Sequence, residues 1–210
     1  MRNYLTEFIG TFFLVLTIGL SVDSGTPFAA IAIGLALMVM VYMGEHVSGA
    51  HYNPAVTLAA TLRGALPASQ ALPYMISQIA GSLGAALMVH LVVGRTFAPA
   101  PAANMTALGP LLIEILFTFA LALVVLNVAT SAQTKNNSFY GLAIGMTVTA
   151  GAIAGGPISG GAFNPAVGIG PIVVNAMLGG GTYQHLWLYL VGPFAGAVLA
   201  SLVFRIQEKD

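Results

Sequence analysis

Residues 48–56 read SGAHYNPAV, and residues 159–167 read SGGAFNPAV. The second copy begins 111 residues after the first in a chain of 210, so the repeated unit is about half of the protein. Further echoes follow the same order in both halves. Gly34 and Gly145 stand at the same offset, each leading into an apolar run. Glu7 with Thr11-Phe12 is echoed by Glu114 with Thr118-Phe119, and Gly81 and Gly84 are loosely matched by Gly192 and Gly196. Ordered self-similarity of this kind describes an internal duplication. The two repeats span residues 1–93 and 108–210, joined by the loop 94–107, within a single membrane domain over residues 1–210.

Composition sets the solvent. Hydrophobic residues make up 58% of the chain and charged residues 6%, against about a quarter charged in a soluble domain. So few charges cannot cover a water-facing surface, and the length accommodates about six spans of roughly 20 residues. A formal net charge of 0 gives no footprint for nucleic acid. Cysteine is absent, which excludes a disulfide framework and a thiolate metal site. His46, His51, His90 and His185 are too scattered for a metal site. The first apolar run has no clear small-residue cleavage site and is followed by further spans, so it reads as a retained helix.

Taken in order, spans are expected over Tyr4–Val22, Phe28–Gly44, Ala71–Val93, Leu108–Thr130, Phe139–Ile153 and His185–Phe204. Two shorter apolar stretches, Pro54–Leu62 and Pro165–Val174, each follow an Asn. Asn is a preferred N-cap and Pro a preferred first helical residue. Both stretches are too short to cross a bilayer and read as re-entrant half-helices. Three spans per half invert the second half relative to the first, which brings both broken helices toward the midplane. With both termini cytoplasmic, Arg2, Arg63, Lys135, Arg205 and Lys209 lie inside and only Arg95 outside, in keeping with the positive-inside rule. The fold expected is an all-α integral membrane protein of six transmembrane helices and two half-helices. Tyr183, Trp187 and Tyr189 read as an interfacial anchor.

Two helix N-termini aimed at the membrane centre present unpaired N–H groups and a positive end potential. That disfavours a cation there. The midpoint residues are Asn53, Pro54, Ala55, Asn164, Pro165 and Ala166: the Asn oxygens cap the helices while their amides offer donors to a passing oxygen. Carbonyls of 45–52 and 156–163 would form an acceptor ladder along the lumen. Such a lining dehydrates a small neutral solute without trapping it. Glu7 and Glu114, buried early in their spans, read as acceptors for a neighbouring loop. His46 reads as lumen-lining at the cytoplasmic mouth.

No nucleophile–base set assembles on one face, and the Gly-rich run 154–161 lacks the Lys of a phosphate loop, so an enzyme is a poor fit. An ion-coupled secondary transporter would share broken helices and inverted repeats. It would need paired intramembrane charges, for which only Glu7 and Glu114 are candidates.

The two Asn-Pro-Ala motifs, each preceded by a Ser-Gly pair, together with Glu7, Glu114 and His51, resemble the major intrinsic protein family of aquaporins and glycerol channels over nearly the whole chain. The resemblance implies one pore per subunit, a homotetramer in the cell membrane, and passive flow of water and small neutral solutes such as glycerol, urea and ammonia, with no cofactor.

One departure bears on the substrate. Water-conducting members usually carry Arg directly after the second Asn-Pro-Ala; here that position is Val167. Matching the motifs places the outer selectivity filter at Ile33, Ala152, Gly161 and Val167, a small and apolar set. A broadened pore is expected. The alternative is an ordinary water-selective channel in which Phe163 or a loop refills the constriction.

Overall fold

The chain was analysed as a computed structural model describing residues 1–208; Lys209, one of the cations counted on the inner side, and Asp210 lie outside the described residues. The elements are α1 (Arg2–Asp23), α2 (Ala29–Ser48), α3 (Pro54–Arg63), α4 (Ala68–Val93), α5 (Leu108–Val125), α6 (Tyr140–Ser159), α7 (Pro165–Leu178) and α8 (Leu188–Gln207). A π-helical turn, Leu126–Thr130, extends α5. Helices α1, α2, α4, α5 with its π turn, α6 and α8 are long and apolar enough to cross a membrane. The 10 residues of α3 and 14 of α7 rise only ~15 and ~21 Å, short of a hydrocarbon core of about 30 Å. No strand occurs among the described residues.

Several boundaries differ from the sequence expectation: α4 begins at Ala68 and not Ala71, α7 runs to Leu178 and not Val174, and α8 runs to Gln207 and not Phe204. Helix α2 continues past Gly44 to Ser48, and α6 continues past Ile153 through Gly155, Gly156 and Pro157 to Ser159. Without water in the bilayer, a backbone group is best satisfied inside its own helix, and this outweighs the low helix propensity of Gly and Pro. Each helix then ends on a left-handed Gly, Gly49 (φ 83°) or Gly160 (φ 91°). The non-helical stretches before the two Asn therefore shorten to 49–52 and 160–163. Helix α8 begins at Leu188, three residues later than expected, after a turn through His185.

Packing repeats between the halves. Helix α1 packs on α2 and α4, and α5 packs on α6 and α8. The short helices cross over: α7 of the second half lies on α4, and α3 of the first half lies on α8. Ser82 Oγ donates to the Ala166 carbonyl (2.6 Å), and Ser201 Oγ reaches the Ala59 carbonyl (3.4 Å). Small residues set the close approaches. A Cβ at Gly81 would lie 2.4 Å from the Phe8 carbonyl oxygen, and one at Gly196 would lie 2.4 Å from that of Ile115. Helices α2 and α6 meet the same way, Gly34 against the Gly145 carbonyl and Gly145 against that of Gly34. Backbone-to-backbone contact of this kind is how apolar helices associate where lipid removes the hydrophobic driving force.

Candidate functional site

The site is built on two loops, 49–52 and 160–163, which lead into α3 and α7. Both are strained. Ala50, Tyr52 and Phe163 hold φ of 49°, 49° and 50°, in the left-handed region, a conformation that costs a non-Gly residue ~1–3 kcal/mol. Two buried carboxylates hold them there. Glu7 accepts from Ser48 Oγ (2.6 Å), His51 N (3.0 Å), Tyr52 N (2.7 Å) and Gln78 Nε2 (2.7 Å). Glu114 accepts from Ser159 Oγ (2.7 Å), Ala162 N (3.1 Å) and Phe163 N (2.7 Å). Hydrogen bonds to an ionised acceptor contribute ~1.5–3 kcal/mol each, enough to offset the strain. The Ser of each Ser-Gly pair also accepts from the amide two residues on, Ala50 or Gly161 (3.1 Å each). Behind the loops, the Tyr74 and Tyr189 hydroxyls donate to the carbonyls of Ser48 (3.0 Å) and Ser159 (2.6 Å).

The loops deliver Asn53 and Asn164 to the N-termini of α3 and α7. Asn53 Oδ1 accepts from Ala55 N (2.8 Å), and Asn164 Oδ1 from Ala166 N (2.9 Å). The amides reach across the molecule: Asn53 Nδ2 donates to the Phe163 carbonyl and Asn164 Nδ2 to the Tyr52 carbonyl, both at 2.9 Å. An amide nitrogen has two hydrogens. One of each is thus committed to joining the halves, and one remains.

Both Asn line a cavity of about 620 Å³, and so do Ile33, Ala152, Gly161 and Val167. No Asp, Glu, Lys or Arg is on its wall. Phe163 is not on the wall either. Its ring is 2% exposed and packs on Phe117, with centroids 5.3 Å apart, so it does not refill the filter. Pro54, Ala55, Pro165 and Ala166 are buried behind the caps and do not contribute to the wall.

His51 lines the cavity, with Nδ1 3.1 Å from Thr57 Oγ1. The Thr57 hydroxyl also lies 3.0 Å from the Asn53 carbonyl and accepts from Gln78 Nε2 (2.8 Å). Its one hydrogen can go to the Asn53 carbonyl or to Nδ1, and the tautomer of the ring follows that choice. His46 does not line this cavity; it sits exposed on the last turn of α2. Its neighbour Glu45 borders a second cavity of about 420 Å³ with Arg63, Lys135 and Tyr140. There Arg63 donates to Thr130 Oγ1 and to the Thr130 carbonyl (2.9 Å each), and lies 3.5 Å from Glu208.

Two features were not foreseen. Phe97–Ala100, within the loop expected only to join the repeats, lies on the cavity wall. Prolines at 99 and 101 were the available signal, since they bar a helix there. Tyr189, expected at the interface with Tyr183 and Trp187, is fully buried and fixes the 160–163 loop; only Tyr183 and Trp187 are exposed.

Six spanning helices, with two half-length helices capped nose to nose beside an uncharged cavity, define a membrane channel of duplicated architecture. The chain belongs to the major intrinsic protein family, whose family model, "Major intrinsic protein", matches residues 1–204. It is 38% identical to "Aquaporin NIP1-4" of Oryza sativa subsp. japonica, over 98% of this chain and 77% of that protein. It is 37% identical to "Glycerol uptake facilitator protein-like 6" of Lactiplantibacillus plantarum over the full length of both. Among solved structures, the aquaglyceroporin from Plasmodium falciparum superposes with a TM-score of 0.87 at 21% identity, covering 97% of this chain and 94% of that one. That similarity is one of fold.

Proposed function

We propose that this family member is a passive channel for water and for neutral solutes of glycerol or urea size, with an outer filter wider and less polar than that of a water-selective pore. The observation that carries the reading is the wall itself: Val167 stands with Ile33, Ala152 and Gly161 on a cavity without a formally charged side chain. No charged side chain among the lining residues pairs with an ion. The two helix ends oppose cations at the midpoint, and apolar stretches exclude ions by dewetting. Neutral solutes would hand their hydrogen bonds from one polar group to the next: the remaining amide hydrogens of Asn53 and Asn164, and the His51 ring on the same wall.

The buried position of Phe163 disfavours refilling by that ring, which is turned away from the wall; the other form of the water-selective alternative, refilling by a loop, stands, since Phe97–Ala100 is on the wall. A coupled transporter is disfavoured by Glu7 and Glu114, since all four carboxylate oxygens are engaged with loop or side-chain donors. We place the protein in the cell membrane as a homotetramer with both termini cytoplasmic, an orientation supported by Arg2, Arg63, Lys135 and Arg205 against Arg95.

Stopped-flow light scattering on proteoliposomes tests the reading. Water, glycerol and urea gradients should each relax faster than in empty vesicles, with or without ionophores. Flux that stops when sodium and proton gradients are collapsed would replace the channel with a transporter.

A further inference from the structure

The two repeats differ in a buried polar chain behind the pore wall. At the offset of 111 residues, His51, Thr57 and Gln78 of the first repeat correspond to Ala162, Gly168 and Tyr189 of the second. In the first repeat the three side chains join. Gln78 Nε2 donates to Glu7 Oε2 (2.7 Å) and to Thr57 Oγ1 (2.8 Å), and Thr57 Oγ1 lies 3.1 Å from His51 Nδ1. In the second repeat Tyr189 fills that room: a Cβ at Gly168 would sit 2.5 Å from Tyr189 Cβ. One half-helix thus carries a polar chain to the wall, and the other does not.

Each link of the chain is specified. Thr57 and Gln78 are fully buried and off the cavity wall. Glu7 orients the Gln78 amide, since a turned-over amide would set its oxygen against the carboxylate. Both Nε2 hydrogens are therefore committed, to Glu7 and to Thr57, and Oε1 is left buried without a partner among the described residues. The Thr57 hydroxyl has two acceptors in reach of its hydrogen, the Asn53 carbonyl (3.0 Å) and Nδ1. The Asn53 carbonyl also takes Thr57 N (2.9 Å), so neither choice strands it. The His51 ring packs on Tyr74, with centroids 5.3 Å apart, and its far edge sits close to Gly49, where a Cβ would lie 3.3 Å from Nε2. Nε2 makes no hydrogen bond among the described residues, and the ring is on the wall. That nitrogen is the ring's polar atom left for a solute.

We propose that Thr57 and Gln78 are positioning residues for His51: Gln78 anchors the Thr57 hydroxyl, the hydroxyl holds Nδ1, and the direction of that one bond decides whether Nε2 meets the solute as donor or acceptor. This rests on the channel reading above. A neutral ring with its proton on Nδ1 offers Nε2 as an acceptor; a ring whose Nδ1 accepts from Thr57 offers Nε2–H as a donor. The buried chain thereby sets the polarity of an atom on the pore wall without itself touching the solute. Glycerol, whose hydroxyls are fixed along its carbon chain, depends on that station more than water, which reorients freely.

The test uses the full chain in proteoliposomes, unaltered and with Thr57→Val, Thr57→Ser, Gln78→Met and His51→Ala. Glycerol and water permeability are measured beside nitrogen NMR of histidine-labelled protein, His51 being assigned as the signal lost in His51→Ala. Thr57→Val should lower the glycerol-to-water ratio about fivefold, ~1 kcal/mol of barrier, and shift the His51 ring nitrogens; Thr57→Ser should restore both. In a His51→Ala background, Thr57→Val should change the ratio by less than about twofold, because its effect runs through the ring. If Thr57→Val does not assemble, Gln78→Met decides: it keeps the hydroxyl but removes its donor, and should shift the His51 nitrogens and lower the ratio about twofold. Ring nitrogens and ratios unchanged in the assembled variants, or an equal loss with and without His51, would overturn the positioning role and leave the channel intact. Absence of solute and water flux in the unaltered protein would instead overturn the channel reading, while the shifts of the ring nitrogens are still read.

Discussion

Replacing Glu114 with Gln removes one acceptor atom from a site where every donor is accounted for. The carboxylate takes Ser159 Oγ and Ala162 N on one oxygen and Phe163 N on the other. A Gln can keep one oxygen on Ser159 and Ala162, but its NH₂ then faces the Phe163 N–H, donor against donor. Turning the amide over strands Ser159 and Ala162 instead. The first arrangement leaves one buried N–H unsatisfied, at ~1–3 kcal/mol, and weakens two charge-assisted bonds by about half. A total of ~2–5 kcal/mol follows. Phe163, with its φ of 50°, loses the bond that holds it in the left-handed region, and its carbonyl is the partner of Asn53. The injury therefore passes from a buried helix to the midpoint caps. Thermal unfolding in detergent should show an apparent Tm lowered by about 4–20 °C, and water flux should fall in parallel. Glu7→Gln should be worse, because Glu7 receives two donors on each oxygen. Unchanged Tm and unchanged flux in Glu114→Gln would refute the idea that this carboxylate maintains the loop.

Other outcomes follow from the same geometry. Val167→Arg should lower glycerol-to-water permeability at least about tenfold, ~1.4 kcal/mol in barrier; an unchanged ratio means that position 167 does not bound the solute path. Asn164→Ala removes the cap on Ala166 N and strands the Tyr52 carbonyl, so thermal unfolding should report a loss of ~1–2 kcal/mol for the cap alone. Gly196→Leu would press a Cβ within 2.4 Å of the Ile115 carbonyl oxygen and 2.7 Å of Phe119 N. Because both are backbone, size-exclusion chromatography should show loss of the folded species. Gly84→Ala is the control: its nearest contact would be 3.6 Å, from a Phe12 ring carbon, and its elution and Tm should match the unaltered protein.

Much of the fold was legible because it is written twice. The duplicated SG–NPAV string, the paired Glu and the hydropathy located six spans and two caps, and the structure places both Asn where the motif puts them, at the first turn of α3 and α7. Glu7 and Glu114 accept from the loops, as buried carboxylates in an otherwise uncharged span suggested. What was hidden depends on contacts between distant segments. Helix α2 was ended too early at the polar run after Gly44, and α6 at its Gly- and Pro-bearing run, since a backbone without water is best satisfied inside its own helix. The reciprocal bonds between Asn53 and Phe163, and between Asn164 and Tyr52, join residues 110 and 112 positions apart, and the single-chain pattern does not reveal them. His46, expected at the cytoplasmic mouth, is exposed on the last turn of α2, outside the cavity that both Asn line. The loop 94–107 looked like a linker because no motif marks it; its place on the cavity wall comes from where Asp23, Asn175 and Ile158 hold it.

The broadened, uncharged filter is tested most directly by measuring glycerol and water permeability on one batch of proteoliposomes, with ion gradients collapsed. Glycerol permeability per reconstituted protein should stand well above that of empty vesicles, on the same vesicles that pass water. Rapid water flux with glycerol relaxing no faster than through lipid alone would contradict it, and would mean that the space beside Val167 is closed to anything larger than water.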